Sequence, residues 1–99
     1  MLVFNSAGNS GNSAWQKITA PADGDSVLAI GAVSANGVRA SFSSFGPTAD
    51  GRIKPDLCAM GQDAAYIHPD GSIRTGNGTS FSSPILCGAA TALWSAHPE

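Results

Sequence analysis

Ser26-Val27-Leu28-Ala29-Ile30-Gly31-Ala32-Val33 is a run without a charge and without alternation of apolar and polar positions. A half-exposed strand would alternate, so the run reads as a strand covered on both faces, as in a parallel sheet layered above and below. Outward from it, Leu2-Val3-Phe4-Asn5-Ser6-Ala7 is a shorter apolar run that stops at Gly8-Asn9-Ser10-Gly11, as a buried strand entering a loop does. Pro55-Asp56-Leu57-Cys58-Ala59-Met60-Gly61 offers a third short buried strand. Residues 39–45 alternate only weakly before Gly46-Pro47 breaks them, and residues 48–55 form a polar loop. Residues 64–67 and 72–75 flank His68-Pro69-Asp70-Gly71, where Pro second and Gly fourth fit a type I turn and predict a β-hairpin. From Ser80 to about His97 the chain is apolar almost all round, which predicts a buried helix capped by Thr79 or Ser80 and closed by His97-Pro98. The expected fold is α/β: a fragment of a doubly wound, mainly parallel sheet with a β-hairpin and a buried C-terminal helix.

Composition narrows the function. Of the 99 residues 42% are hydrophobic and only 12% charged, which excludes the charge-rich, apolar-poor make-up of a disordered chain. A net charge of −2, with Lys17, Arg39, Arg52, Lys54 and Arg74 scattered, argues against a nucleic-acid partner. No apolar run is long enough for a membrane span, so no membrane role is expected, and Met1 leads into Leu-Val-Phe without a basic leader. Cys58 and Cys87 lack CxxC spacing and are expected as two small buried thiols; a disulfide between them is not readable from sequence.

The chemistry concentrates in Gly76-Asn77-Gly78-Thr79-Ser80-Phe81-Ser82-Ser83-Pro84. A serine between a glycine-rich turn and a helix start gains close access for a substrate backbone, unpaired N–H groups for a developing oxyanion, and the positive end of the helix dipole. Pro84 has no N–H, so the Ser80 carbonyl loses its usual partner and an irregular turn is expected there. An ordinary Ser/Thr cap after a glycine turn explains this segment equally well.

The wider pattern distinguishes the two. Ser6-Ala7-Gly8-Asn9-Ser10-Gly11, then residues 26–33, then Ala40-Ser41-Phe42-Ser43-Ser44-Phe45-Gly46-Pro47, Lys54-Pro55-Asp56-Leu57 and Gly78-Thr79-Ser80 resemble, in order, the subtilisin-like serine peptidases, the subtilases. The resemblance covers nearly the whole chain. It implies that residues 1–99 are the C-terminal part of a subtilase catalytic domain, incomplete because no Asp-Thr-Gly-like or His-Gly-Thr-like motif supplies the triad Asp and His. It implies Ser80 as the nucleophile, Asn9 and the Ser80 N–H as the oxyanion hole, Ser6, Ala7 and Gly8 as a wall of the substrate pocket and Thr19 near its base. Phe42-Ser43-Ser44 reads as scaffold. Ile85-Leu86-Cys87-Gly88 replaces the family's frequent His-Val-Ala-Gly, and Met60-Gly61 its common Pro-Gly; both departures concern packing. The resemblance also implies a cis bond at Ala20-Pro21 and a secreted or periplasmic protein.

No cofactor is expected of this chain. Subtilases leave room for calcium in a longer parent, but Asp23-Gly24-Asp25 supplies too few oxygens for it and reads as a solvated turn. His68 and His97 are expected as surface residues. Without a base Ser80 is a weak nucleophile, so the isolated chain is expected to be inactive while the parent cleaves peptide or protein substrates. The alternative is a non-catalytic subtilase-derived binding or assembly module; the Gly-x-Ser-x-Gly signature of α/β-hydrolase esterases is absent. A fold cut from its N-terminal half is expected to expose apolar surface and to self-associate, by exchange of strands or of the helix.

Overall fold

Residues 1–98 are described by a computed structural model of the chain. The residues 26–33 run forms a strand over its apolar part. This strand, β2 (Leu28–Val33), lies between β1 (Phe4–Ser6) and β3 (Leu57–Met60), with both pairs parallel. Its Ala29, Ile30 and Ala32 have no exposed surface, as the both-faces reading requires. Alternation along the strand divides the layers. Ala29 joins Ala7, Ile18 and Ala22 in a small core on one face. Ala32 on the other face meets Gly61 and the helix α1 (Thr79–Ala96) at Ser82.

The hairpin consists of β4 (Ala64–Ile67) and β5 (Ile73–Gly76) in antiparallel register. Its turn is closed by the Gly71 N–H donating to the His68 carbonyl at 2.8 Å, the bond that a turn over His68–Gly71 makes. Asp70 fixes the tip, accepting from the Ser72 N–H and from Arg74. The weakly alternating residues 39–45 do not form a strand. They run as turns tied to β2, where Ser43 Oγ accepts the Ala32 N–H and the Ala40 N–H donates to the Ala32 carbonyl. The Ala20–Pro21 bond is cis, as are Gly46–Pro47 and Lys54–Pro55.

Several expectations are overturned. The helix is buried only at its start, at Thr79, Ser82 and Ser83, while Leu93 and Trp94 are 66% and 59% exposed. Its apolar character is real, but within this chain the three short strands cover only its first turns. Neither thiol is buried: Cys58 sits on β3 at the edge of the sheet and Cys87 on the uncovered stretch of α1, and both are free. The helix runs unbroken through Pro84, so the missing N–H costs the Ser80 carbonyl a partner without disturbing the turn. Neither Thr79 nor Ser80 caps the helix from its own side chain; Gly78 is the N-cap and makes no side-chain cap bond. No helix of the described residues is long and apolar enough to cross a membrane.

Gly61 marks the closest approach of sheet and helix. A Cβ there would stand 2.7 Å from both the Ala32 Cβ and the Gly78 carbonyl oxygen and would collide with Ser82 Oγ. Ser82 Oγ could rotate aside, but the Ala32 Cβ and the Gly78 carbonyl cannot. Gly61→Ala is therefore expected to destabilise the fold by about 1–3 kcal/mol, the usual size of overpacking, read as a lowered midpoint of denaturant unfolding with unchanged slope.

Candidate functional site

Two loops meet at the C-terminal edge of the sheet. The first leaves β1 through Ala7, Gly8 and Asn9; the second leaves β5 through Asn77 and Gly78 and enters α1. Each is pinned to the scaffold. On the first, the Ser44 N–H donates to the Gly8 carbonyl and Ser44 Oγ accepts the Ser10 N–H, both at 2.9 Å. On the second, the Gly78 N–H donates to the Gly61 carbonyl at 2.8 Å and Asn77 Oδ1 accepts the Asp63 N–H at 2.7 Å.

Thr79, fully buried, joins the loops. Its N–H donates to Asn9 Oδ1 at 2.8 Å and its hydroxyl donates to the same oxygen at 3.0 Å. The hydroxyl oxygen in turn accepts the Gly8 N–H at 3.1 Å. A backbone N–H can only donate, so the Asn9 atom facing Thr79 must be the carboxamide oxygen. This fixes Nδ2 on the other side, toward Gly78 and Ser80. Asn9 thus caps the helix in place of the local Thr or Ser, from 70 residues away.

Gly78, itself buried, lies between these groups. A Cβ built there would lie 3.7 Å from Asn9 Nδ2, from the Ser80 nitrogen and from the Phe81 ring. Asn9 Nδ2 and the Ser80 nitrogen thus both stand beside Gly78. Gly78 has φ 155° and ψ 150°, a conformation essentially confined to glycine. Among the described residues the Ser80 N–H has no backbone acceptor, as expected of the second residue of a helix. The first helical turn holds no acidic side chain, so the positive end of the dipole is not neutralised locally. Ser80 itself is exposed.

Asn9, Gly8 and Ser80 therefore stand together. Ala7 is buried directly behind them, its N–H bonded to the Ile30 carbonyl, and Ser6 ends the strand that carries them. Thr19 lies elsewhere on the surface, at a cavity of about 510 Å³ that it lines with Trp15, Ile18, Asp23, Pro47 and Thr48. No imidazole among the described residues hydrogen-bonds the Ser80 hydroxyl; His68 is at the hairpin tip, 3.2 Å from Asp70, and His97 follows the far end of the helix. Sequence reading missed Thr79 as the residue that orients Asn9. The threonine of Gly78-Thr79-Ser80 was visible, but only the fold brings the Asn9 loop over it.

The sequence model of the subtilase family matches residues 1–99. The chain belongs to the subtilase family. It is 40% identical to subtilisin DY of Bacillus licheniformis over 99% of its own length, and 36% identical to subtilisin NAT of Bacillus subtilis subsp. natto over the same share. Among solved structures it is similar to the prenylagaramide maturation protease PagA, with a TM-score of 0.82 and 32% identity over 97% of this chain. It spans 34% of subtilisin DY, 24% of subtilisin NAT and 33% of PagA. The fold of this subtilase chain is accordingly the subtilisin-like α/β arrangement of parallel strands and a C-terminal helix.

Thr79→Val keeps the shape of the side chain but leaves the Gly8 N–H without its acceptor and Asn9 Oδ1 with one donor fewer. A loss of about 1–3 kcal/mol is expected for the unsatisfied buried donor, measurable by chemical denaturation, with Thr79→Ser expected to retain most of the stability.

Proposed function

We propose that this chain is the nucleophile-bearing part of a serine endopeptidase domain, in which Ser80 Oγ attacks the carbonyl carbon of a peptide bond. The reading is supported by Asn9 Nδ2 and the Ser80 nitrogen both standing beside Gly78, next to an exposed Ser80. Attack turns the carbonyl oxygen into an oxyanion, and donors fixed in advance where that charge appears stabilise it without reorganising. Thr79 holds the Asn9 amide in that orientation before substrate arrives. The Ser80 proton passes to a general base, the leaving amine takes a proton, and water later releases the acyl group from Ser80. The base and its carboxylate partner come from outside these residues, as the subtilase pattern implies, so the 99-residue chain by itself is inactive.

Substrate would lie along Ser6-Ala7-Gly8 as an extended peptide. The uncovered apolar face of α1 would be met by the remainder of the domain or, in the isolated chain, by a second copy through exchange of a strand or the helix. A secreted or periplasmic location goes with this reading. The second reading, a non-catalytic binding or assembly module, has less support, because a domain freed from catalysis has no need to hold the Asn9 amide so firmly beside an exposed Ser80.

In the complete protein, Ser80→Ala is expected to abolish peptide hydrolysis and labelling by a fluorophosphonate probe. Asn9→Ala is expected to retain labelling but to lose about 10²–10³ in kcat with little change in KM, the size known for removing a side-chain oxyanion donor from a subtilisin. Turnover in the Ser80→Ala protein, or unchanged kcat in Asn9→Ala, would favour a site elsewhere.

A further inference from the structure

Subtilases can bind calcium, and the segment around Asp23-Gly24-Asp25 is where a calcium loop came into question. The oxygens of this region do not fit the ion. Calcium takes six to eight oxygen ligands. Here the oxygens are already committed to two cations of the chain itself. Arg52 Nη2 donates to the Asp23 carbonyl at 2.8 Å, and Arg52 Nε donates to both oxygens of Asp50 at 3.0 and 3.1 Å. Lys54 Nζ donates to the Val27 carbonyl and to Asp56 Oδ2, both at 2.7 Å. Asp56 Oδ2 is also the acceptor of the Ala29 N–H at 2.8 Å. The remaining carboxylate, Asp25, is 90% exposed and 3.8 Å from Arg52 Nη1. Among the described residues no group of three or more His, Cys, Asp and Glu side chains could hold a metal ion.

The two cations differ in setting but act on the same segment. The Lys54 side chain is only 5% exposed, and a buried ammonium is tolerated only when paired and hydrogen-bonded. The Arg52 side chain is 37% exposed and links its own loop, at Asp50, to the turn at Asp23, with its Nη1 buried and without a hydrogen-bond partner. Arg52 and Asp56 are shifted in the direction these contacts imply. The hydrogen bond to Asp50 holds the Arg52 guanidinium above its ordinary value. Burial pushes the Asp56 carboxyl up, but the hydrogen bonds from Lys54 and the Ala29 N–H outweigh it and leave the group below the usual carboxylate range. The bonded atoms, Asp23 O and Val27 O, bracket the turn that leads into β2. The turn just before it is closed by the Asp23 N–H on the Thr19 carbonyl and the Gly24 N–H on the Pro21 carbonyl.

We propose that Arg52 and Lys54 are resident cations that do here what a bound divalent ion would otherwise do: they clamp the turn before β2 onto the 46–56 segment, so that this region neither needs nor takes calcium. A divalent ion entering the same oxygens would have to displace an ammonium and a guanidinium from five committed acceptor atoms, and would meet their repulsion at contact distance.

Amide hydrogen exchange, read peptide by peptide in the complete protein, tests this locally, so that calcium bound elsewhere does not enter the result. Protection over residues 19–29 is expected to be the same in EDTA and in millimolar calcium. Lys54→Met and Arg52→Ala are each expected to exchange faster there, by roughly tenfold or more, as loss of a charged hydrogen bond implies. Calcium-dependent protection of residues 19–29 in the unsubstituted protein overturns the proposal, and so does either variant exchanging at the unsubstituted rate. Should Lys54→Met fail to fold, the calcium comparison and the half-exposed Arg52 position carry the test.

Discussion

The site end of this molecule depends on one oxygen atom. Asn9 Oδ1 receives two hydrogens from Thr79, one from the main chain and one from the hydroxyl, and the same hydroxyl oxygen accepts the Gly8 N–H. These bonds form a closed circuit between a loop at the start of the chain and a helix start near its end. Nothing local links the two segments; the parallel sheet does, with β2 holding β1 and β3 side by side and the Gly61 carbonyl at the exit of β3 accepting the Gly78 N–H. The two glycines that permit the approach serve different needs. At Gly61 sheet and helix come too close for a Cβ, and at Gly78 the backbone takes a conformation that favours glycine, with Asn9 Nδ2 and the Ser80 nitrogen beside it.

Most of the fold was legible because its determinants are local. The uncharged run of residues 26–33 produced a central strand, the His68-Pro69-Asp70-Gly71 turn produced a hairpin, and the apolar stretch after Ser80 produced a helix with ends within a residue of those expected. What failed was burial, at Cys58, Cys87 and the outer face of α1. Apolar character reports what a residue prefers to face, whereas exposure depends on which layers are present, and sequence carries the first without the second. The cap was misread for a related reason. Thr79 and Ser80 are good capping residues by type, but Thr79 has turned its hydroxyl to the Asn9 loop, and an asparagine 70 positions away supplies the acceptor. A long-range contact of this kind leaves no periodicity to read; only family resemblance brought Asn9 and Ser80 into one sentence before the fold did.

The two ends of the sheet are stabilised by different means. At the C-terminal ends of the strands, neutral amides, hydroxyls and a helix start carry the interactions, and no salt bridge of the described residues involves Asn9, Thr79 or Ser80. At the opposite end, Lys54 and Asp56 form an ion pair under the start of β2, with Arg52 and Asp50 outside it. This separation has an electrostatic consequence. Fixed charges close to Gly78 would bias the site whether or not a substrate were present. Neutral dipoles instead gain most when charge develops directly in front of them. The ionic contacts lie at the start of β2 and at the hairpin tip, and none of them includes the Asn9 amide or the start of the helix.

The helix couples these local arrangements to the rest of the surface unevenly. Its first turns are held by the directional bonds of Thr79 to the β1 loop and by the burial of Ser82, against Gly61, and of Ser83. Beyond Pro84 the side chains are larger and lie in the open, with Cys87, Leu93 and Trp94 beside Leu2 and Phe4 around an apolar cavity of about 660 Å³. Hydrophobic contact is non-directional and tolerates exchange of one apolar surface for another, whereas the hydrogen-bonded circuit does not. The orientation of Asn9 relative to Ser80 is therefore set within the first turn and does not require the outer turns to have any one neighbour. Specific polar contacts fix the position of Asn9 over the helix start, whereas the apolar remainder of α1 stands exposed and carries no such directional constraint.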